Sequence, residues 1–393
     1  MNILFYRYGS IYEPDMIDAF TKAGLNVIEI TSEITNKNLT ALEQIKLVEN
    51  HLKKDDIMFV FGINFYPPIA EICRIYKTIY ICWTVDSPIL TLFNRAITYE
   101  TNRIFLFDYQ QYLKFLPYNP DCIFYLPLAS AVSRFDSVIA SITAADRKQY
   151  SSDISFVGSL YNEKNPLDNL SSLSDFTKGY INGLTESTLN IYGYYPVKDA
   201  LNSAVIEDIK KSAGSDFPVM EKSVASIDEY VISHEYIGAH IAVVERERTL
   251  NELAKRFSVN LYTRSDSSRL KNVIIHDGVR TLDEMPKVFN LSKINLNITM
   301  RPIETGLPLR CFDIMGCGGF LMTNYQAEIA DFFEVGVDLE TYASTEELID
   351  KCTYYLQNDT ERSRIAINGY NKVKSQHTHY HRIRELLTKV TEA

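Results

Sequence analysis

The sequence predicts an α/β protein made of two Rossmann-like, doubly wound domains facing a central cleft, with extra helices inserted in the second. Three observations lead there. At 393 residues the chain exceeds one comfortable core, since domains run to about 150 residues. Short β-branched or aromatic runs alternate with helical patterns along its whole length. That alternation then starts afresh near residue 153, after a stretch rich in Ala and Ser.

In the first domain, residues 1–130, strands are expected at 2–8, 26–30, 56–62, 78–83, 103–107 and 122–126, with helices near 14–23 and 40–53. The later runs each end in a turn containing Pro, Ser or Asp, so a parallel sheet with helices on both faces is the economical arrangement. Residues 131–152 lack a strand and suit a connector or a peripheral helix. The second domain, 153–376, is expected to have strands at 154–159, 259–263, 272–276, 294–299, 319–324 and 339–342, with helices near 282–290 and 344–357. Residues 161–258 are too long for a simple crossover, which implies a helical insertion at about 161–233. Residues 377–393 are expected to close the chain as a helix packing toward the first domain.

Composition narrows the function classes. The chain is 46% hydrophobic and 23% charged, as in ordinary globular proteins, and its formal charge of −10 gives no global attraction to nucleic acid or an anionic membrane. The opening MNILFYRYGSIYEP is too short an apolar run for a signal peptide, and no segment of 18 apolar residues occurs, so a cytoplasmic protein without stable membrane insertion is expected. Six scattered cysteines include no CxxC pair and read as buried thiols. The 26 Tyr and 20 Phe suit stacking on sugars.

Two doubly wound sheets put strand carboxyl ends on one crevice, where open α/β sheets bind ligands. Neither GxGxxG nor GxxxxGK[ST] is present. Residues 299–319, TMRPIETGLPLRCFDIMGCGG, read instead as a strand end, a glycine-containing turn and a short helix with Pro308 at its first position and glycines after its last. Such a helix start offers free N–H groups to an anion. Arg310, in the first turn, opposes the helix macrodipole until a diphosphate binds. Asp313 follows on the same face, placed to accept from vicinal ribose hydroxyls; a simple ion pair between the two is the competing reading. Further crevice candidates at strand ends are Tyr8, Gly9, Ser10, Asn64 and Asp86 in the first domain, and Gly158, Ser159, Thr263 and Arg264 in the second. Of His377, His379 and His381 only the first and last share a helix face and no acid lies nearby, so they are expected to start the closing helix and not to bind metal.

The run LRCFDIMGCGGFLMTNYQAEIADFF, preceded by ITMRPIETGLPLR, resembles the C-terminal signature of CgeB-like glycosyltransferases. YICWTVDSPI, FLFDYQQYLKFL, IFYLPLA and ISFVGSLY resemble that family's earlier blocks, so the likeness covers most of the chain outside the insertion. It implies a GT-B fold, a nucleotide diphosphate sugar such as a UDP-sugar as donor, and no required metal or other cofactor. The acceptor would be a protein, a glycan or another hydroxyl compound, and cell-surface glycan assembly would be one setting. Donor contacts then fall to Gly158, Thr263, Arg264, Arg301, Glu304, Thr305, Gly306, Arg310 and Asp313, and acceptor contacts to Tyr8, Gly9, Ser10 and Asn64. Many retaining GT-B enzymes carry two glutamates separated by seven residues, one near the donor sugar and one on the ribose. Asp313 matches the second and Glu304 is the carboxylate nearest the first, with eight residues between them. Asp86 is the candidate to orient or deprotonate the acceptor hydroxyl. A nucleotide-sugar epimerase, a phosphorylase, or a non-catalytic coat or surface assembly protein would share this architecture.

Overall fold

Apolar runs without polar alternates belong in parallel sheets covered on both faces, and in the computed structural model, which describes residues 1–392, they fold that way. β1 (Asn2–Tyr6), β2 (Asn26–Ile30), β3 (Ile57–Ile63), β4 (Ile79–Trp83), β5 (Asn102–Leu106) and β6 (Ile123–Tyr125) form one sheet in the order β2-β1-β3-β4-β5-β6. β7 (Ser152–Val157), β8 (Val259–Thr263), β9 (Ile274–Asp277), β10 (Ser292–Asn297), β11 (Leu321–Asn324) and β12 (Glu340–Tyr342) form the other, in the order β12-β11-β10-β7-β8-β9. Every pairing in both sheets is parallel.

The order of each sheet reverses beside its first strand, between β1 and β3 in one and between β7 and β10 in the other. Carboxyl ends at such reversals are where this architecture binds ligands. The second sheet is buried by Leu250 and Leu253 from helix Gly238–Leu253 and by Leu348 and Cys352 from helix Thr345–Gln357, packed on Ile154, Phe156, Leu261, Ile294 and Met322.

The chain divides into two compact units. One contains Met1–Ala131, Met220–Ala225 and the segment from Gln376; the other contains Val132–Val219 and Ser226–Ser375. Three details refine the expected organisation. Residues 131–152 take the second of their two readings, as helices Val132–Ala140 and Ala144–Tyr150 in the second unit, where Arg134 donates to Leu282 O at 2.9 Å and Asp146 pairs with Lys287 at 2.9 Å. The insertion does not stay wholly with the second domain, because Met220–Ala225 lies with the first unit, where Arg95 N donates to Lys222 O at 2.7 Å and Val224 N to Phe93 O at 2.8 Å. The closing helix begins at His379, not His377, since the His377 carbonyl accepts from Ser130 N at 2.9 Å in an extended bridge.

The three histidines there turn to separate partners. His377 Nδ1 meets Arg382 Nη2 at 2.6 Å, His381 Nδ1 meets Thr378 Oγ1 at 2.7 Å, and His379 lies beside the rings of Tyr12 and Trp83. Among the described residues no group of three or more His, Cys, Asp or Glu converges as metal ligands, and no helix is long and apolar enough to cross a membrane. All six cysteines are buried free thiols.

Candidate active site

In the first unit the turn after β1 carries Tyr8, Gly9 and Ser10, and Gly9 takes a φ of 94°, which favours glycine. Its amides are already occupied. The buried Glu13 carboxylate accepts from Tyr8 N at 2.8 Å, Gly9 N at 2.8 Å and Ser10 N at 3.0 Å, and from Arg7 Nε at 3.0 Å. What the turn can offer a ligand is therefore side chains. Asn64, just beyond β3, has a φ of 64° and joins three groups: its Nδ2 donates to Asp86 Oδ2 at 2.7 Å and to Tyr8 OH at 3.3 Å, and its Oδ1 accepts from Val85 N at 3.0 Å. Tyr8, Asn64 and Asp86 thus meet at the carboxyl ends of β1, β3 and β4. Burial, with the Asp86 charge beside it, pushes the Tyr8 phenol up to about 12, so it stays protonated and can donate at neutral pH. Asp86 is exposed.

In the second unit Arg246, buried in helix Gly238–Leu253, ties the two central strands together by donating to Ser159 O at 2.5 Å and Ile298 O at 2.7 Å, carbonyls just beyond β7 and β10. Gly158 N is committed to Tyr262 O at 3.1 Å. Thr263 Oγ1 accepts from Ser265 N at 3.1 Å, while Arg264 is exposed with its stem laid over Gly278.

A buried polar lattice sets the turn after β10. Asn324 Oδ1 accepts from Thr299 N at 2.8 Å and its Nδ2 donates to Thr299 O at 3.0 Å, while Asn297 Nδ2 donates to Thr299 Oγ1 and Thr323 Oγ1, each at 2.9 Å. Buried polar groups satisfied this fully fix one backbone path. Along that path Arg301 turns inward: its Nε and Nη2 grip Glu245 at 2.7–3.1 Å, Nη1 donates to Ile191 O at 2.6 Å, and the guanidinium lies over the Tyr192 ring at 4.0 Å. Thr305 Oγ1 donates to Glu328 Oε1 at 2.6 Å.

The helix that follows, Leu309–Gly316, starts one residue later than expected. Pro308 has ψ 155° and is the N-cap, so Arg310 is the second helical residue, and no side chain caps the first turn. Arg310 lies against Met285 Sδ and over the Phe289 ring at 5.2 Å, and its Nη1 is 3.5 Å from Asp313 Oδ2. The ion pair is thus present, but around a carboxylate only 2% exposed and not on an open surface.

Glu304 is the least anticipated part. Its carboxylate meets Lys198 Nζ at 2.5 Å and lies 3.9 Å from His234 Nε2. Lys198 comes from the short helix Val197–Ala200 and His234 from a π-helical segment, Val231–Ile237, that runs directly into helix Gly238–Leu253. Burial alone would raise the Glu304 carboxyl, but the contacts with His234 and Lys198 outweigh it and hold the group below the usual carboxylate range. Sequence reasoning missed Lys198 and His234 because neither lies at a strand end. Wide π turns often mark functional sites, but nothing in the local residue pattern announces one here.

The π segment approaches the turn so closely that a Cβ on Gly238 would sit 2.3 Å from Pro302 Cγ. Gly238→Ala should therefore displace either the helix or the turn bearing Glu304, at a cost of about 1–3 kcal/mol. Urea unfolding of the variant against wild type measures it; an unchanged midpoint would show that this contact is loose.

Residues 246–388 match the family model described as glycosyl transferase-like. No curated protein sequence matches the chain. Among solved structures, the chain is similar to a glycosyltransferase from Rickettsia africae ESF-5 (TM-score 0.53, 11% identity, covering 100% of this chain and 98% of that one). It is also similar to HepE of Anabaena in complex with UDP-glucose (TM-score 0.55, 9% identity, all of both chains). UDP-GlcNAc 2-epimerase from Neisseria meningitidis bound to UDP-GlcNAc is similar to the same degree (TM-score 0.52, 9% identity, all of both chains). At such identities the likeness speaks to fold alone, and the fold is GT-B. The family match covers the turn after β10 and the Leu309–Gly316 helix but begins after Lys198 and His234.

Proposed function

We propose that the protein transfers a sugar from a UDP-sugar to a hydroxyl-bearing acceptor without a divalent metal, the donor resting on the second unit at the carboxyl ends of β7 and β10. One observation carries the reading: the sheet reversal between β7 and β10 delivers the chain into an uncapped helix start, inside the region that matches glycosyltransferases. The N–H groups of that first turn and the Arg310 guanidinium beside it supply positive potential for a diphosphate. Asp313 takes the ribose hydroxyls. On the first unit Asp86, held by Asn64, orients the acceptor hydroxyl, and the Tyr8 phenol donates beside it. The resemblance to CgeB-like proteins favours a surface glycan or protein as acceptor, and six reduced thiols fit the cytoplasm.

The epimerase of the same fold, which binds UDP-GlcNAc, supports a second reading in which a UDP-sugar is isomerised with no acceptor. The glycosyl transferase-like match favours transfer. Calorimetric titration with UDP and UDP-glucose in excess chelator tests the donor site: binding is expected to persist, and binding that vanishes on chelation would sink the metal-independent reading. Incubating the protein with UDP-sugars alone and following the sugar by NMR separates the two chemistries, since an epimer appearing without acceptor would establish the second.

A further inference from the structure

The insertion does more than decorate the second unit. Lys198 reaches Glu304 across 106 residues of chain, and His234 reaches it across 70. Neither belongs to the region matched by the family model. The space beside the same carboxylate is only about 10 Å³, and Tyr194, Arg301, Ile303, Asn324, Tyr325 and Gln326 border it. Tyr194 and Tyr325 are both exposed, at 52% and 39%, and Tyr325 lies against Gly193, whose Cβ position would fall 2.9 Å from the ring. Asn324 and Gln326 are already bonded to backbone, so what this lining offers a sugar is the carboxylate acceptor and two open rings, for a hydroxyl donor and an apolar C–H face.

We propose that Lys198 and His234 are positioning residues that hold Glu304 as an ionised hydrogen-bond acceptor for a hydroxyl of the donor's sugar, so that the insertion sets which sugar is accepted. This rests on the donor site proposed above and adds to it the residues that select the sugar and not the nucleotide.

The hydrogen-bond directions support it. The Ser233 hydroxyl donates to Glu229 O at 2.6 Å, so it must accept at 2.7 Å from His234 Nδ1, which therefore carries a proton. His234 Nε2 then faces Glu304, and a second proton there gives an imidazolium facing a carboxylate. The His234 ring is locked in place, stacked on Tyr230 at 4.1 Å and edge-on to Tyr195 at 5.4 Å. Other charged or titratable groups around Glu304 have partners of their own: Arg301 on Glu245, Tyr194 on Asp199 and Tyr195 on the Ser233 carbonyl. Gln326, from the turn after β11, donates to Ile303 O at 3.1 Å and braces the Glu304 turn from the other side. Lys198, joined by His234 when its ring is doubly protonated, thus keeps the carboxylate charged and aimed.

The sign of the pH effect follows. Glu304 lies below its ordinary value because His234 and Lys198 outweigh burial. With Lys198 removed, burial is opposed by His234 alone, the carboxyl takes up a proton at higher pH, and sugar recognition is lost as pH falls through that new, higher value.

The test compares UDP with UDP-glucose, UDP-galactose and UDP-N-acetylglucosamine by calorimetry between pH 5 and pH 8 on the full chain. Wild type should bind at least one UDP-sugar more tightly than UDP. Lys198→Met should leave UDP affinity within about twofold, weaken the preferred UDP-sugar about tenfold, and move the acidic fall in its affinity to higher pH, while Lys198→Arg restores the wild-type profile. Should Lys198→Met fail to fold, the isosteric Glu304→Gln serves instead, and it should lose the same sugar-dependent affinity and its pH dependence together. Equal weakening of UDP and UDP-sugars, no weakening of either, or an unmoved pH profile would overturn the positioning role. If wild type binds UDP but no UDP-sugar better, this proposal fails while the nucleotide site stands. If it binds neither UDP nor any UDP-sugar, the functional reading itself falls, and this proposal with it.

Discussion

Glu245→Ala should destabilise the protein by about 3–5 kcal/mol, the cost of leaving one member of a buried ion pair without its partner. Glu245 and Arg301 side chains are 5% and 7% exposed, and the carboxylate takes three contacts from the guanidinium at 2.7–3.1 Å. Nη1 donates to Ile191 O, and the guanidinium face lies over the Tyr192 ring. Water cannot replace Glu245 without opening that packing, so an uncompensated charge would remain. The double variant Glu245→Leu/Arg301→Met removes both charges and should recover most of the loss, since replacing a whole buried pair by apolar side chains is often neutral. Urea unfolding of the three variants decides it. A loss below about 1 kcal/mol in Glu245→Ala would mean that the pair is as weak as an exposed one. The sequence places Arg301 among the donor contacts, but in the structure it anchors the turn that carries Glu304.

How much of this is legible in the sequence depends on range. The central strands can be read because both faces of each sheet are covered there, which turns strands such as Ile57–Ile63 and Ile79–Trp83 into continuous apolar runs. Helix Thr345–Gln357 announces itself through Ser344, whose hydroxyl accepts from Glu347 N at 3.0 Å. Helices Val132–Ala140 and Ala144–Tyr150 cannot be told from a connector by sequence because their Ala and Ser content resembles a linker and the helix Met285–Leu291 they pack on comes far later in the chain. The site divides in the same way. Tyr8, Asn64 and Asp86 follow strands directly and can be found by counting to a strand end. The pairing of Glu304 with Lys198, or of Arg301 with Glu245, depends on how a long insertion folds back, which leaves no periodic trace.

Asp313→Asn should weaken binding of UDP about tenfold to a hundredfold while leaving the fold close to wild type. A charge-assisted hydrogen bond contributes about 1.5–3 kcal/mol, and each 1.4 kcal/mol is a factor of ten. The substitution keeps the side-chain shape but exchanges one acceptor oxygen for a donor and removes the charge. The carboxylate is 2% exposed, with Arg310 Nη1 at 3.5 Å. In the proposed complex its two oxygens accept from the ribose hydroxyls while the Arg310 guanidinium turns to the diphosphate. The comparison with 2′-deoxy-UDP assigns the contact. If Asp313 holds the ribose, wild type should prefer UDP over the deoxy compound and the Asn variant should largely lose that preference, because the mutation and the missing hydroxyl remove one shared interaction. Strictly additive losses would show that Asp313 and the ribose do not meet. A large fall in melting temperature with unchanged UDP affinity would make the Arg310–Asp313 pair a support for the Leu309–Gly316 helix and nothing more.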